Sequence, residues 1–73
     1  MSRLPTVSCD DVVKAFEKVG WSVKRRGNHV IMTKPGSIAS LSIPSHREIA
    51  KGTLRKLIRL AGLTVEEFNR LLS

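Results

Sequence analysis

His29 is the residue in this sequence whose type and surroundings best suit proton-transfer chemistry. Imidazole takes and returns protons near neutral pH, and Lys24 and Arg26 precede it closely in the chain. That set suits a phosphodiester carrying its own nucleophile. In RNA the 2′-hydroxyl adjoins the scissile phosphate, so cleavage needs a base, cations for the charge developing on phosphorus, and positioning. Spacing by itself fits an ordinary surface histidine of a strand equally well. His46, in Pro44-Ser45-His46, suits the capping of a turn as much as contact with a substrate.

Other chemistries find less support. With one cysteine, two histidines and no CxxC or HExxH, a zinc site is not expected. Asp10-Asp11 and Glu66-Glu67 each stand at the start of a helical pattern, where helix-end electrostatics accounts for them. A two-metal nuclease centre is therefore not expected, and no residue is assigned as a metal ligand. No Walker loop, GxGxxG or GxSxG occurs, so no cofactor is expected. Stacking platforms for single strands need exposed rings. The three rings here, Trp21, Phe16 and Phe68, all fall on core faces. Nucleic acid would be held through phosphates, shape and hydrogen bonds.

The charge points the same way. The chain has 73 residues, 13 Lys+Arg against 6 Asp+Glu, and a formal net charge of +7. Residues 24–59 concentrate the excess, with nine basic groups against Glu48 alone. Such clustering is the footprint of a polyanion binder rather than of a merely soluble surface. Within it Lys51, Arg55 and Arg59 recur every four residues, a helical stripe flanked by Lys56. A helix-turn-helix over Leu54 to Leu72 would present Glu66 and Glu67 to the DNA backbone, so the charge argues against it. At 41% hydrophobic residues the chain is too apolar for a disordered basic tail. The longest apolar run, Val30 to Met32, excludes a membrane span or signal peptide. A single cysteine fits a reducing cytosol, so a cytoplasmic location is expected. The length allows one domain, residues 1–73, with 1–7 a short arm.

These residues must be positioned by a small set of elements. Ser8 and Asp11 form a capping box opening a first helix, with Val12, Val13, Phe16 and Val19 inward and Gly20 as its stop. Trp21 to Arg26 and His29 to Lys34 read as strands around Gly27-Asn28. Residues 40–43 alternate as a third strand ended by Pro44. A second helix from about Gly52 buries Leu54, Leu57, Ile58 and Ala61. Thr64 and Glu67 cap a third, short helix. The order α-β-β-β-α-α implies an α+β fold, helices on one face of a three-stranded antiparallel sheet. A two-residue loop at Gly27-Asn28 pairs Arg26 with His29 and Lys24 with Ile31. Trp21, Val23, Val30 and Met32 then face the core, and Lys24, Arg26, His29 and Thr33 the open side. A three-residue loop would shift this by one position and move His29 to the opposite face.

An ordered set of short motifs adds to this reading. Arg25-Arg26-Gly27-Asn28-His29, Ile43-Pro44-Ser45-His46, Glu48-Ile49, Lys51-Gly52-Thr53-Leu54 and Ala61-Gly62-Leu63-Thr64 together resemble the HicA family of bacterial and archaeal toxins. Arg3-Leu4-Pro5 and Val19-Gly20-Trp21 are similar too, so the likeness covers nearly the whole chain. The resemblance implies a fold like the double-stranded-RNA-binding domain, an mRNA endonuclease activity and a cognate HicB antitoxin. The family's catalytic histidine follows a glycine and a small polar residue, as His29 follows Gly27-Asn28; Asn28 stands where serine is common.

Residues and resemblance together lead to the expectation of a metal-independent, RNA-cleaving toxin domain. His29 serves as general base, Lys24 and Arg26 hold the scissile phosphate, and Asn28 touches the RNA. Lys51, Arg55 and Arg59 hold the RNA backbone. An acidic antitoxin protein covering the His29 face is the expected partner, beside mRNA. The alternatives are a non-catalytic double-stranded-RNA-binding module and, less favoured, the helix-turn-helix DNA binder.

Overall fold

Ser8 opens the first helix as its spacing from Asp11 implies. Its hydroxyl accepts the Asp11 N–H at 3.2 Å, and the Asp11 carboxylate accepts the Ser8 N–H at 3.1 Å. In the computed structural model, which describes residues 3–72, this helix, α1, spans Cys9–Glu17. Gly20 follows it at φ +100°, a left-handed conformation that side chains with a Cβ resist. The chain then runs through β1 (Ser22–Arg25), β2 (His29–Thr33) and β3 (Leu41–Pro44), then α2 (Lys51–Leu60) and α3 (Val65–Leu71). Between β2 and β3, Pro35 and Gly36 occupy the centre of a turn closed by Ser37 N–H to the Lys34 carbonyl at 3.1 Å. Thr64 and Glu67 cap α3 reciprocally, at 2.9 and 3.1 Å. The third helix is short but well specified.

The three strands form one antiparallel sheet with β2 in the centre. Val30 and Met32 of β2 and Leu41 and Ile43 of β3 turn to the face that the helices cover. There they meet Val12 and Phe16 of α1, Leu54 and Ile58 of α2, and Phe68 of α3 in one apolar core. The Phe16 and Phe68 rings pack with centroids 5.8 Å apart, joining the first helix to the last. Fully burying side chains of this size stabilises by about 1.5–3 kcal/mol each. Among the described residues, no helix covers the other face of the sheet.

The hairpin register differs from the two-residue reading. Val23 pairs with Met32 as expected, but Arg25, not Lys24, pairs with Ile31. A β-bulge at Lys24 absorbs one extra residue in β1, and three residues, 26–28, then connect the strands. His29 nevertheless keeps the open face, because the slip is taken up in β1 while β2 stays in register with β3, His29 opposite Pro44 and Val30 opposite Ile43. What changes is the row of cations. Arg25 joins His29 on the open face, and Arg26 turns to the helix side.

The N-terminal arm is strapped across the helical layer. Ile49 N–H donates to the Val7 carbonyl at 2.8 Å, and Asn69 Nδ2 to the Arg3 carbonyl at 3.1 Å. Met1, Ser2 and Ser73 lie outside the described residues. With its helices on one face of a β1-β2-β3 meander, the protein has the α+β architecture of a double-stranded-RNA-binding domain, extended by α3.

Candidate functional site

His29 is exposed at the first position of the central strand. Cross-strand partners share a face of a sheet, so the open face carries His29 with Pro44, then Arg25 with Ile31 and Ser42. Arg25 and Ser42 are exposed, and Ile31 is half-buried between them. Lys24, lifted out of the ladder by the bulge, is exposed beside this row. A histidine, two cations and two apolar side chains, Ile31 and Pro44, thus occupy one end of the open sheet face. Arg25 is the residue that sequence reasoning passed over. The run Lys24-Arg25-Arg26 ensured some cation near His29, but a strict alternation could not say which.

The hairpin that carries His29 is held from one side. The Ser45 hydroxyl donates to the Gly27 carbonyl at 2.8 Å, and the Ser45 N–H to the Asn28 carbonyl at 3.1 Å. Both backbone acceptors before His29 are therefore occupied by the residue after β3. A second tight turn follows, with His46 N–H on the Pro44 carbonyl at 2.8 Å. The His46 carbonyl in turn accepts the Cys9 N–H at 3.0 Å, tying this loop to the start of α1. The Asn28 side chain stays exposed at the loop tip.

Arg26 lies apart from His29, in a cavity of about 300 Å³ with Cys9, Val30, His46 and Arg47. Its guanidinium lies near the Cys9 thiol. Burial, and secondarily the Asp10 charge, raise that thiol's pKa above 9.0, with Arg26 and the hydrogen-bonding Ser45 side chain acting in the opposite direction. Cys9 is therefore a protonated, buried thiol at neutral pH.

The stripe on α2 divides. The Lys51 ammonium donates to the Leu4 carbonyl at 3.0 Å and the Thr6 hydroxyl at 3.2 Å, so it holds the N-terminal arm. Arg55 and Arg59, with Lys56, line an open groove of about 550 Å³ that begins at Gly52 and Thr53. Ala50 gives α2 no side-chain cap, and no acidic residue stands in its first turn. The N-terminal end of this helix therefore keeps its positive field. On α3, by contrast, Glu67 is consumed by the capping box and Glu66 faces Arg70 at 3.8 Å, an exposed pair of little energetic weight. Among the described residues, no three His, Cys, Asp or Glu side chains gather as metal ligands, and no helix is long and apolar enough to cross a membrane.

A comparison with curated proteins finds no match. A family model does match: the one described as HicA toxin of bacterial toxin-antitoxin covers residues 9–63. That span is most of the chain and includes His29, the bulged hairpin, the Ser45-His46 turn and the basic groove of α2. By this match the chain belongs to the HicA toxin family, the toxin side of a toxin–antitoxin pair.

Proposed function

We propose that the protein is a metal-independent endoribonuclease that cleaves mRNA, with His29 as its general base. The observation that carries this reading is an exposed imidazole on an uncovered sheet face, flanked by Arg25 and Lys24, in a chain of the HicA toxin family. The His29 imidazole takes the proton of the 2′-hydroxyl as that oxygen attacks the adjacent phosphorus. The bond from phosphorus to the 5′-oxygen breaks, a 2′,3′-cyclic phosphate forms, and the leaving oxygen takes up a proton. Arg25 and Lys24 offset the negative charge that builds on the phosphoryl oxygens. The Ser45 bonds to the hairpin hold His29 in place, and Asn28 at the loop tip meets the RNA backbone. Arg55 and Arg59 bind phosphates further along the strand.

A cognate HicB-like antitoxin, acidic where it meets the open face, neutralises the enzyme by excluding RNA from His29. The positive field that draws RNA would steer such a partner as well. The test is cleavage of a defined RNA in EDTA by the purified chain and by His29→Ala, beside growth arrest on induction. Loss of both in a folded variant supports the reading. The fold itself favours a second reading, a non-catalytic module for double-stranded RNA. Equal RNA integrity with wild type and variant, together with binding of duplex RNA, would select that reading.

A further inference from the structure

We propose that the cavity holding Arg26, Arg47 and His46 is a nucleotide subsite, taking the nucleotide beside the one cleaved at His29. This rests on the ribonuclease reading. Its walls come from three separate stretches of chain: the start of α1, the β1–β2 connection and the loop after β3. At about 300 Å³ it has the volume of a small-ligand site. Its floor, Cys9 and Val30, is apolar, and its rim is charged. Nothing in the chemistry at His29 requires these groups. They are a second cluster, behind the hairpin instead of on the open face.

The kinds of charge identify the ligand. Arg26 and Arg47 present two guanidinium groups, which bind phosphate oxygens in a planar, bidentate manner. His46, which also lines the cavity, can add a ring N–H, whereas the Ser45 hydroxyl is already spent on the Gly27 carbonyl. Asp10, also at the rim, would repel a bare phosphate. Its carboxylate only accepts hydrogen bonds, so it suits the donor edge of a base. Guanine, whose N1–H and amino group offer two parallel donors, matches its two oxygens best. A phosphate and a base together satisfy both signs of charge.

Position ties this cavity to His29. Gly27 lines it, and Gly27 stands two residues before His29, a separation of at most about 7 Å. That bound is between backbone atoms, so only the tip of the hairpin separates the cavity from the residue that carries the imidazole. A strand that passes from the open face over the loop would place consecutive phosphates first at His29 and then at Arg26 and Arg47. The bulge at Lys24 is what allows this, since it turns Arg26 away from His29.

The experiment is titration of the intact chain with guanosine 3′-monophosphate, uridine 3′-monophosphate and inorganic phosphate, followed by amide and arginine side-chain NMR. Guanosine 3′-monophosphate should shift Cys9, Asp10, Gly27, His46 and Arg47 together. It should bind more tightly than the other two probes, and Arg47→Ala should weaken it about tenfold or more. Asp10→Asn should remove the preference for the guanosine nucleotide. Shifts gathered instead on Arg55 and Arg59, or affinity unchanged in Arg47→Ala, overturn the subsite. Equal binding of inorganic phosphate overturns the nucleotide assignment. In cleavage assays Arg47→Ala should raise KM more than it lowers kcat. A wild-type chain that binds the nucleotide here but cleaves nothing refutes the ribonuclease reading and leaves the binding site standing.

Discussion

The hydroxyl of Ser45 donates to the carbonyl of Gly27 at 2.8 Å, fastening the hairpin of His29 to the chain that leaves β3. The bond crosses between segments 18 residues apart, and the Ser45 N–H adds a second to Asn28. His29 is thus positioned by the register of its own strand and, at the hairpin before it, by the residue that follows its neighbour strand.

Ser45→Ala should therefore lower stability by only about 0.5–1.5 kcal/mol, at the low end because the bond is exposed. Its effect on RNA cleavage should be larger than that loss of folded protein accounts for, because the loop carrying His29 loses one of its two ties. Thermal unfolding and cleavage rates, measured on the same preparation, check both halves. An unchanged rate would mean that the backbone bond alone holds the loop.

Lys51 and Arg55 differ in role although they share a helix face. Replacing Arg55 and Arg59 by Ala should flatten the salt dependence of RNA binding by roughly 0.7 per lost phosphate contact on a single strand. Lys51→Ala should leave that slope alone and lower the melting temperature instead, since its ammonium holds Leu4 and Thr6. Binding titrations over a salt series, beside thermal melts, separate the two.

Phe68 is fully buried against Phe16 and is the main apolar anchor of α3. Phe68→Ala should cost about 3–5 kcal/mol. In a domain of this size that loss approaches the whole folding stability. Circular dichroism in a urea series should show either a large drop in midpoint or an unfolded variant.

Cys9 makes a prediction about pH. Its folded pKa is raised by burial, so the folded state holds the thiol proton longer than the unfolded chain does. The associated stability is fully present below the unfolded pKa, near the ordinary value of 9.0, and is lost as pH rises through the folded one. Native protein should alkylate slowly at neutral pH, because the buried thiol stays protonated. Cys9→Ala should flatten the alkaline decline in stability, as read by denaturant melts between neutral and alkaline pH.

Much of the fold is legible in the chain because local signals agree with one another. Ser8 with Asp11 and Thr64 with Glu67 mark two helix starts, and Gly20, Gly36 and Gly62 take the positive φ angles their positions require. The open-face position of His29 follows from the alternation of Val30 and Met32, which only one face of β2 can bury. The bulge was not legible. Lys24, Arg25 and Arg26 are all long, charged and exposed, so no burial pattern reports which of them leaves the ladder. For the same reason Arg25 was missed and Arg26 was expected beside His29. Lys51 was read from its spacing with Arg55 and Arg59, and spacing cannot reveal that the arm at Leu4 and Thr6 returns to meet its ammonium. Tertiary partners far apart in sequence are what a helical stripe leaves out.

The most direct test of the central claim is single-turnover cleavage of a defined RNA in EDTA by wild type and by His29→Ala, with matching circular dichroism spectra. His29 is exposed, so the variant should fold with little loss of stability. Its cleavage rate should fall by at least about 10²-fold, the contribution of a positioned general base. Cleavage at the wild-type rate by the folded variant would contradict His29 as the base.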